Sequence, residues 1–332
     1  MSAETGGSQS QSKSGSSLSP VESGQRWVEN LSDTQFAYLL LAPSLLIFAV
    51  IAFWPLARTF QMSLYANSLY GAERLGDFVG FSNYVMLLTG ELNSSLPRPF
   101  LDLAQPFTSA VTVTLIFTVV SVLFETIIGF GQALILNQDF RGRRWVRVAI
   151  ILPWAVPIVI QGMIFYLLFQ PTVGFLVEPL HQLGLFSTTP QANSVDSLII
   201  VIVADVWKTS AFMALIILAG LQSVDRSLYD VAKVSGASKF EAFKTVTLPL
   251  VLPSVLVAML FRTIGAMRVY GLITTVSSCN TVPSLSCLVV QTFSTSRYAA
   301  AAAVAFVTAA LIGLVVTVYI VKFADVQGAG GI

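Results

Sequence analysis

The chain has 332 residues, of which 55% are hydrophobic and only 11% charged, with a mean hydropathy of +0.77 and a formal net charge of +1. Soluble domains carry about 25% charged residues, so this composition excludes an ordinary soluble enzyme and points to an integral membrane protein; no nucleic-acid partner is expected. Residues 1–35 are rich in Ser, Gly and Gln and hold no long apolar run, so they are predicted to form a disordered tail. No apolar core of a secretory signal precedes Phe36, and the chain is expected to insert through its own first helix. Apolar runs of about 20 residues, the length that crosses a hydrocarbon core of about 30 Å, then occur six times: Ala37–Ala57, Ala110–Leu136, Val148–Phe169, Leu198–Leu221, Leu248–Val276 and Tyr298–Val321. Such lengths exclude the roughly ten-residue alternation of barrel strands, and helices then satisfy every backbone polar group in lipid. The predicted fold is an all-α membrane protein, a bundle of six transmembrane helices over residues 36–324. Residues 59–108 are predicted to form a small cap with short helices, residues 223–247 a polar loop, and residues 325–332 a C-terminal tail.

Orientation follows from the cations. With the N-terminus inside, Lys13, Arg26, Arg141, Arg143, Arg144, Arg147, Arg226, Lys233, Lys239, Lys244 and Lys322 fall on the cytoplasmic side, and only Arg58, Arg74, Arg98 and Arg297 outside. Eleven against four sets both termini and the loop at 223–247 inside.

Ionisable residues inside spans are costly and face a cavity or a partner helix. In the fourth run Asp205, Lys208, Thr209 and Phe212 fall at helical spacings of i, i+3, i+4 and i+7, so they share one face. A carboxylate, an ammonium, a hydroxyl and a ring on one stripe suit a polyhydroxylated ligand, the ring packing on the C–H face of a sugar. The other reading is an Asp205–Lys208 pair that neutralises itself or locks neighbouring helices. Arg262 and Arg268 lie six apart in the fifth run and do not share a face, so one is expected to face the cavity while the other pairs with a neighbour, for which Glu125 is the candidate. Cys279 and Cys287 are the only cysteines, and two readings stay open: a local disulfide on the outside, or two free thiols in a partly buried re-entrant loop. His181 has no companion at metal-ligand spacing, so no metal is expected. No G-x(4)-G-K-S/T, G-x-S-x-G or H-E-x-x-H motif occurs, so no catalytic residue and no resident cofactor are predicted.

The stretch Leu228–Pro253, LYDVAKVSGASKFEAFKTVTLPLVLP, reads as a polar helical hairpin bent at Gly236 between two membrane-length runs. It resembles the cytoplasmic EAA coupling loop of ATP-binding-cassette importer permeases. Asp230 replaces the motif's glutamate and Val231 its first alanine, while Ala232, Gly236, Ala237, Ser238, Phe243, Leu248, Pro249, Leu250 and Pro253 match. From about Phe36 onward, segments such as ALILNQDFRGRRWVRVAIILPWAVPIVIQG and VWKTSAFMALIILAGLQSV are similar to the carbohydrate-uptake branch, the maltose, trehalose and glycerol-phosphate type permeases. The resemblance implies a second homologous permease subunit, an ATPase subunit dimer that carries ATP and Mg and docks on the loop, an external solute-binding protein, and a sugar substrate. It places substrate contacts at Gln161, Asp205, Lys208, Thr209, Phe212, Thr263, Met267 and Tyr270. The chain departs from that family where Asp is common and it has Gly265 and Gly271, and where a Gly-Gly-Pro turn is replaced by Ser277–Pro283.

The sequence therefore predicts a non-enzymatic, pathway-forming permease subunit in a prokaryotic cytoplasmic membrane, embedded in lipid and coupled to ATP hydrolysis on a partner. The alternative is a proton-coupled secondary transporter of a small polar solute that uses Asp205 and Glu125 as proton sites and needs no ATPase dock.

Overall fold

A computed structural model describes residues 31–68 and 75–329, with side chains defined as far as Lys322. The greater part of the tail expected over 1–35, six residues of the cap, and the last three residues of the expected C-terminal tail lie outside the described residues. Helix α1 spans Asp33–Ser63. It opens on a capping box in which Ser32 Oγ accepts from the Gln35 N–H and Gln35 Oε1 accepts from the Ser32 N–H, so two of the turn's unpaired donors are satisfied. As far as Arg58 this helix forms a unit of its own, and the remainder of the chain forms a second.

After the last residues of α1, the second unit forms a two-stranded antiparallel ribbon, β1 (Tyr65–Asn67) against β2 (Leu75–Phe78), followed by the short helix α2 (Ser82–Thr89). The expectation of short helices alone misses this ribbon. Asn83 ties the segment together by donating to the carbonyls of Ser63 and Tyr65 at 2.8 and 2.7 Å.

Helix α3 (Ala110–Asn137) enters the centre of the bundle. The expected third span is not one helix: α4 (Arg143–Ala155) and α5 (Ile158–Leu168) meet at an angle of 93°. Pro157 has no N–H to donate and forces the preceding Val156 into an extended conformation, with ψ at 129°, which ends the helix. After the short α6 (Val177–Gln182), α7 (Ser194–Gln222) starts at Asn193, whose Oδ1 accepts the N–H groups of Val195 and Asp196. Helices α3 and α7 cross closely at Gly129, where an added Cβ would lie 2.6 Å from Met213 Cβ and 2.9 Å from the Ser210 carbonyl oxygen. Small residues permit such contact between spans, where packing rather than water exclusion drives association. Ala133, Leu136, Met213, Ala214 and Ile217 form the fully buried core beside that crossing.

Helix α8 (Ser227–Val234) precedes α9 (Lys239–Met267), which ends earlier than the expected run to Val276. Residues 268–270 break it, and α10 (Gly271–Val276) is a separate short helix. The break is stabilised from outside the helix, because Ser284 Oγ donates to the Val269 carbonyl at 2.8 Å. Helix α11 (Leu285–Ser294) is apolar but too short to span, and α12 (Tyr298–Ala329) continues past the predicted boundary at residue 324. Among the described residues, five helices are thus long and apolar enough to cross a membrane, and six spans are reached when the bent α4–α5 pair is counted as one.

Candidate functional site

Five charged residues fall inside the six apolar runs, Glu125, Asp205, Lys208, Arg262 and Arg268, and the fold gathers all of them. Arg262 on α9 is the hub. Its Nε donates to Glu125 Oε2 at 2.5 Å, and its Nη2 donates to Glu125 Oε1 and Asp205 Oδ2, both at 2.8 Å. The Glu125 side chain is fully buried, and those of Arg262 and Asp205 are 12% and 14% exposed. This two-pronged pairing to Glu125 suits the planar guanidinium, whose fixed fork of donors matches a carboxylate. Three helices, α3, α7 and α9, are therefore joined at mid-span by one ionic cluster.

Beside the cluster lies a cavity of about 270 Å³ walled by α5, α7, the end of α9 and α10. Of the sequence-predicted ligand residues, Gln161, Asp205, Lys208, Thr209 and Tyr270 line it. Gln161 is buried and donates to the Ala204 carbonyl at 2.5 Å. Lys208 Nζ donates to the Val156 carbonyl at 2.7 Å, and Thr209 Oγ1 donates to the carbonyl of Asp205 at 2.6 Å. The other three are placed elsewhere. Phe212, one turn further along α7, stacks on Trp154 with ring centres 6.3 Å apart; Thr263 shares a 3.0 Å hydrogen bond with Tyr319; and Met267 is buried in packing.

Two roles escape helical spacing. Arg262 and Arg268 both line the cavity, against the expectation that only one does, because α9 ends at Met267 and the helical period no longer governs residue 268. Arg262 pairs with two carboxylates rather than Glu125 alone, and Asp205 makes its ion pair with Arg262 rather than Lys208. The signal was present in the sequence as charges within apolar runs, but pairing across helices has no local signature.

At the far end of α7 and α9 the polar hairpin is well defined. Asp225 Oδ1 accepts the Ser227 N–H at 2.9 Å at the entry to α8, which holds the Asp225 carboxyl below the usual carboxylate range. Helix α8 ends in a Schellman turn: Gly236 has φ of +83°, its N–H donates to the Lys233 carbonyl, and the Ala237 N–H donates to the Ala232 carbonyl. Ser238 then caps α9, exchanging hydrogen bonds with Glu241. Phe243 packs edge-on against Phe130 at 5.7 Å, and Tyr229 Oη meets Thr247 Oγ1 at 3.1 Å, fixing the hairpin to the spans. Among its exposed charges, Lys233, Lys239, Glu241 and Lys244, it carries an apolar patch: Val231, Val234 and Phe240 are exposed, and Leu228, Ala232, Pro249 and Leu250 line a groove of about 390 Å³. Asp230 is exposed on the opposite wall, in an open cleft of about 750 Å³.

Cys279 and Cys287 are joined by a disulfide, with Cα atoms 5.5 Å apart, at the start of α11. Both are buried, and the bridge holds the segment between α10 and α11.

Residues 125–325 match the family described as the binding-protein-dependent transport system inner membrane component. The trehalose/maltose transport system permease protein MalF of Thermococcus litoralis is 33% identical over 291 residues, covering 87% of this chain and 93% of that one. The sulfoquinovosyl glycerol transport system permease protein SmoG of Agrobacterium fabrum is 34% identical over 74% of this chain and 75% of its own length. In fold, the chain is similar to a bacterial ABC transporter involved in the import of the acidic polysaccharide alginate, with a TM-score of 0.72 at 21% identity over 90% of this chain and 99% of that one. The family match includes Glu125, Asp205, Arg262 and the whole hairpin. The chain belongs to the binding-protein-dependent transport system inner membrane component family, the multi-pass permeases of ABC importers in the cytoplasmic membrane.

Proposed function

We propose that this chain is one of two pathway-forming permease subunits of an ATP-driven sugar importer. Relatives named for trehalose, maltose and sulfoquinovosyl glycerol support the substrate class. The solute passes through the mid-span cavity, where Gln161, Asp205, Lys208, Thr209 and Tyr270 offer hydrogen bonds to hydroxyl groups and an aromatic face to the ring. Phe212, Thr263 and Met267 support that wall or meet the solute as the spans tilt. Both termini lie inside, and an external solute-binding protein delivers the sugar. ATP is hydrolysed on a separate ATPase dimer, which grips the hairpin at Asp230, Ala232, Gly236, Ala237, Ser238, Phe243 and Pro249.

The observation that carries the reading is the Schellman-turned hairpin: an exposed apolar surface, rigidly bonded within itself and anchored on Phe130 and Thr247, at the end of two spans. Force applied there is transmitted to α7 and α9, and so to the cluster. The test is reconstitution of the complete transporter in proteoliposomes. Sugar uptake should require ATP and persist with a protonophore present. Gly236→Val, which puts a β-branched side chain where φ is +83°, should lower uptake and solute-stimulated ATP hydrolysis together. Uptake that stops with the protonophore, or a well-assembled Gly236→Val complex with normal stimulation, would refute the proposal.

A further inference from the structure

The six apolar runs contain three cations and two carboxylates, and Arg262 engages both carboxylates. Two cations are left on the same cavity. Lys208 donates one hydrogen bond to the Val156 carbonyl, a neutral acceptor, and the Arg268 side chain makes no ion pair with any described residue, only its backbone N–H donating, to the Gly265 carbonyl. A cation within a span is expensive unless a counter-charge or water meets it, and a desolvated cavity strengthens its pull on any anion that enters. Arg268 is an exposed residue at the helix break and lines the same cavity as Lys208 on α7.

Building on the sugar-importer reading, we propose that the cavity selects a sugar that carries an anionic group, a carboxylate, phosphate or sulfonate, which Arg268 binds with its paired donors and Lys208 as a point charge. Gln161, Thr209 and Tyr270 are left for the hydroxyls and the ring. The volume of about 270 Å³ lies just under the roughly 300–1,000 Å³ of pockets for drug-sized ligands, which suits a single charged ring.

The membrane site must be read without the solute-binding protein, which has a selectivity of its own. Labelled glucose, glucuronate and glucose 6-phosphate would be equilibrated with the purified complete transporter in lipid nanodiscs. At least one anionic sugar should be retained about tenfold more tightly than glucose, a difference of about 1.4 kcal/mol. The preference should fall toward unity in Arg268→Gln, remain in part in Arg268→Lys, and shrink as salt is raised. Glucose retained as tightly as both anionic sugars would overturn the inference, as would an unchanged preference in Arg268→Gln. If Arg268→Gln instead separates the two permease subunits and leaves the preference intact, the guanidinium pairs with the partner subunit and the inference is again overturned. Uptake of neutral sugars alone by the reconstituted transporter would overturn it while the proposed function stands; ATP-driven uptake of no sugar of either kind would sink both.

Discussion

Replacing Arg262 by Met removes three charged hydrogen bonds at one stroke, two to Glu125 and one to Asp205. Charged hydrogen bonds contribute about 1.5–3 kcal/mol each, and breaking a buried ion pair by deleting one partner costs about 3–5 kcal/mol, because the other charge is left uncompensated. Glu125 is fully buried, so it cannot recover its hydration in place. Arg262→Met should therefore be the most damaging single change, destabilising by about 3–5 kcal/mol. Glu125→Gln keeps one acceptor and should be milder, and Asp205→Asn, which affects a single contact in a group that still faces the cavity, milder again. The informative variant is the double replacement Arg262→Met with Glu125→Met. It removes both ends of the pair and fills their space with apolar atoms, a change often neutral in buried pairs, so its stability should exceed that of Arg262→Met alone. The assay is the thermal midpoint of the full chain in its transporter complex, arranged as a double-variant cycle. If the effects of Glu125→Met and Arg262→Met simply add, the residues are energetically independent and the cluster does not join the helices as argued.

Two further outcomes follow from contacts already described. Lys208→Met leaves the Val156 carbonyl at the α4–α5 break without its 2.7 Å donor, so backbone hydrogen exchange over residues 155–161 should accelerate by about tenfold or more, as expected for a loss of about 1.5–3 kcal/mol; unchanged exchange there would refute the bracing role. Replacing Cys279 and Cys287 together by Ser opens a loop with a sequence separation of 8 and should reduce stability by roughly 2–3 kcal/mol on the chain-entropy account; alkylation of two thiols in wild-type protein purified without reductant would remove the premise.

The helical, membrane-spanning character of the runs was legible because lipid imposes a single length and a single polarity on each. The hairpin was legible down to its turn residue, since Gly236 before Ser238 is how an α-helix commonly stops and another starts. The breaks in the third and fifth spans were not. Hydropathy averages over Pro157 as readily as over Leu167, and the runs Val148–Phe169 and Leu248–Val276 score as continuous although the backbone turns within both. The stripe Asp205–Phe212 showed which residues share a face of α7 but not what each meets. Thr209 turns back on its own helix and Phe212 finds Trp154. Arg262 could be recognised as a residue needing a partner, yet its choice of Glu125 and Asp205 depends on how three helices pack, a long-range outcome that no local spacing records.

The two breaks and the cluster have one physical origin. A span that stops in mid-membrane exposes carbonyls that lipid cannot satisfy, so irregular backbone survives only where protein or a cavity meets it. Here the Val156 carbonyl is met by Lys208 and the Val269 carbonyl by Ser284. The segments after each break, Ile158 on one side and Val269 to Leu272 on the other, wall the same 270 Å³ cavity. The cavity in turn gives Lys208 and Arg268 a place that is not hydrocarbon. Polar backbone and charged side chains, each disfavoured alone within a span, become tolerable together. A fold that needed only to fill the membrane would have no reason to interrupt two of its spans around one cavity.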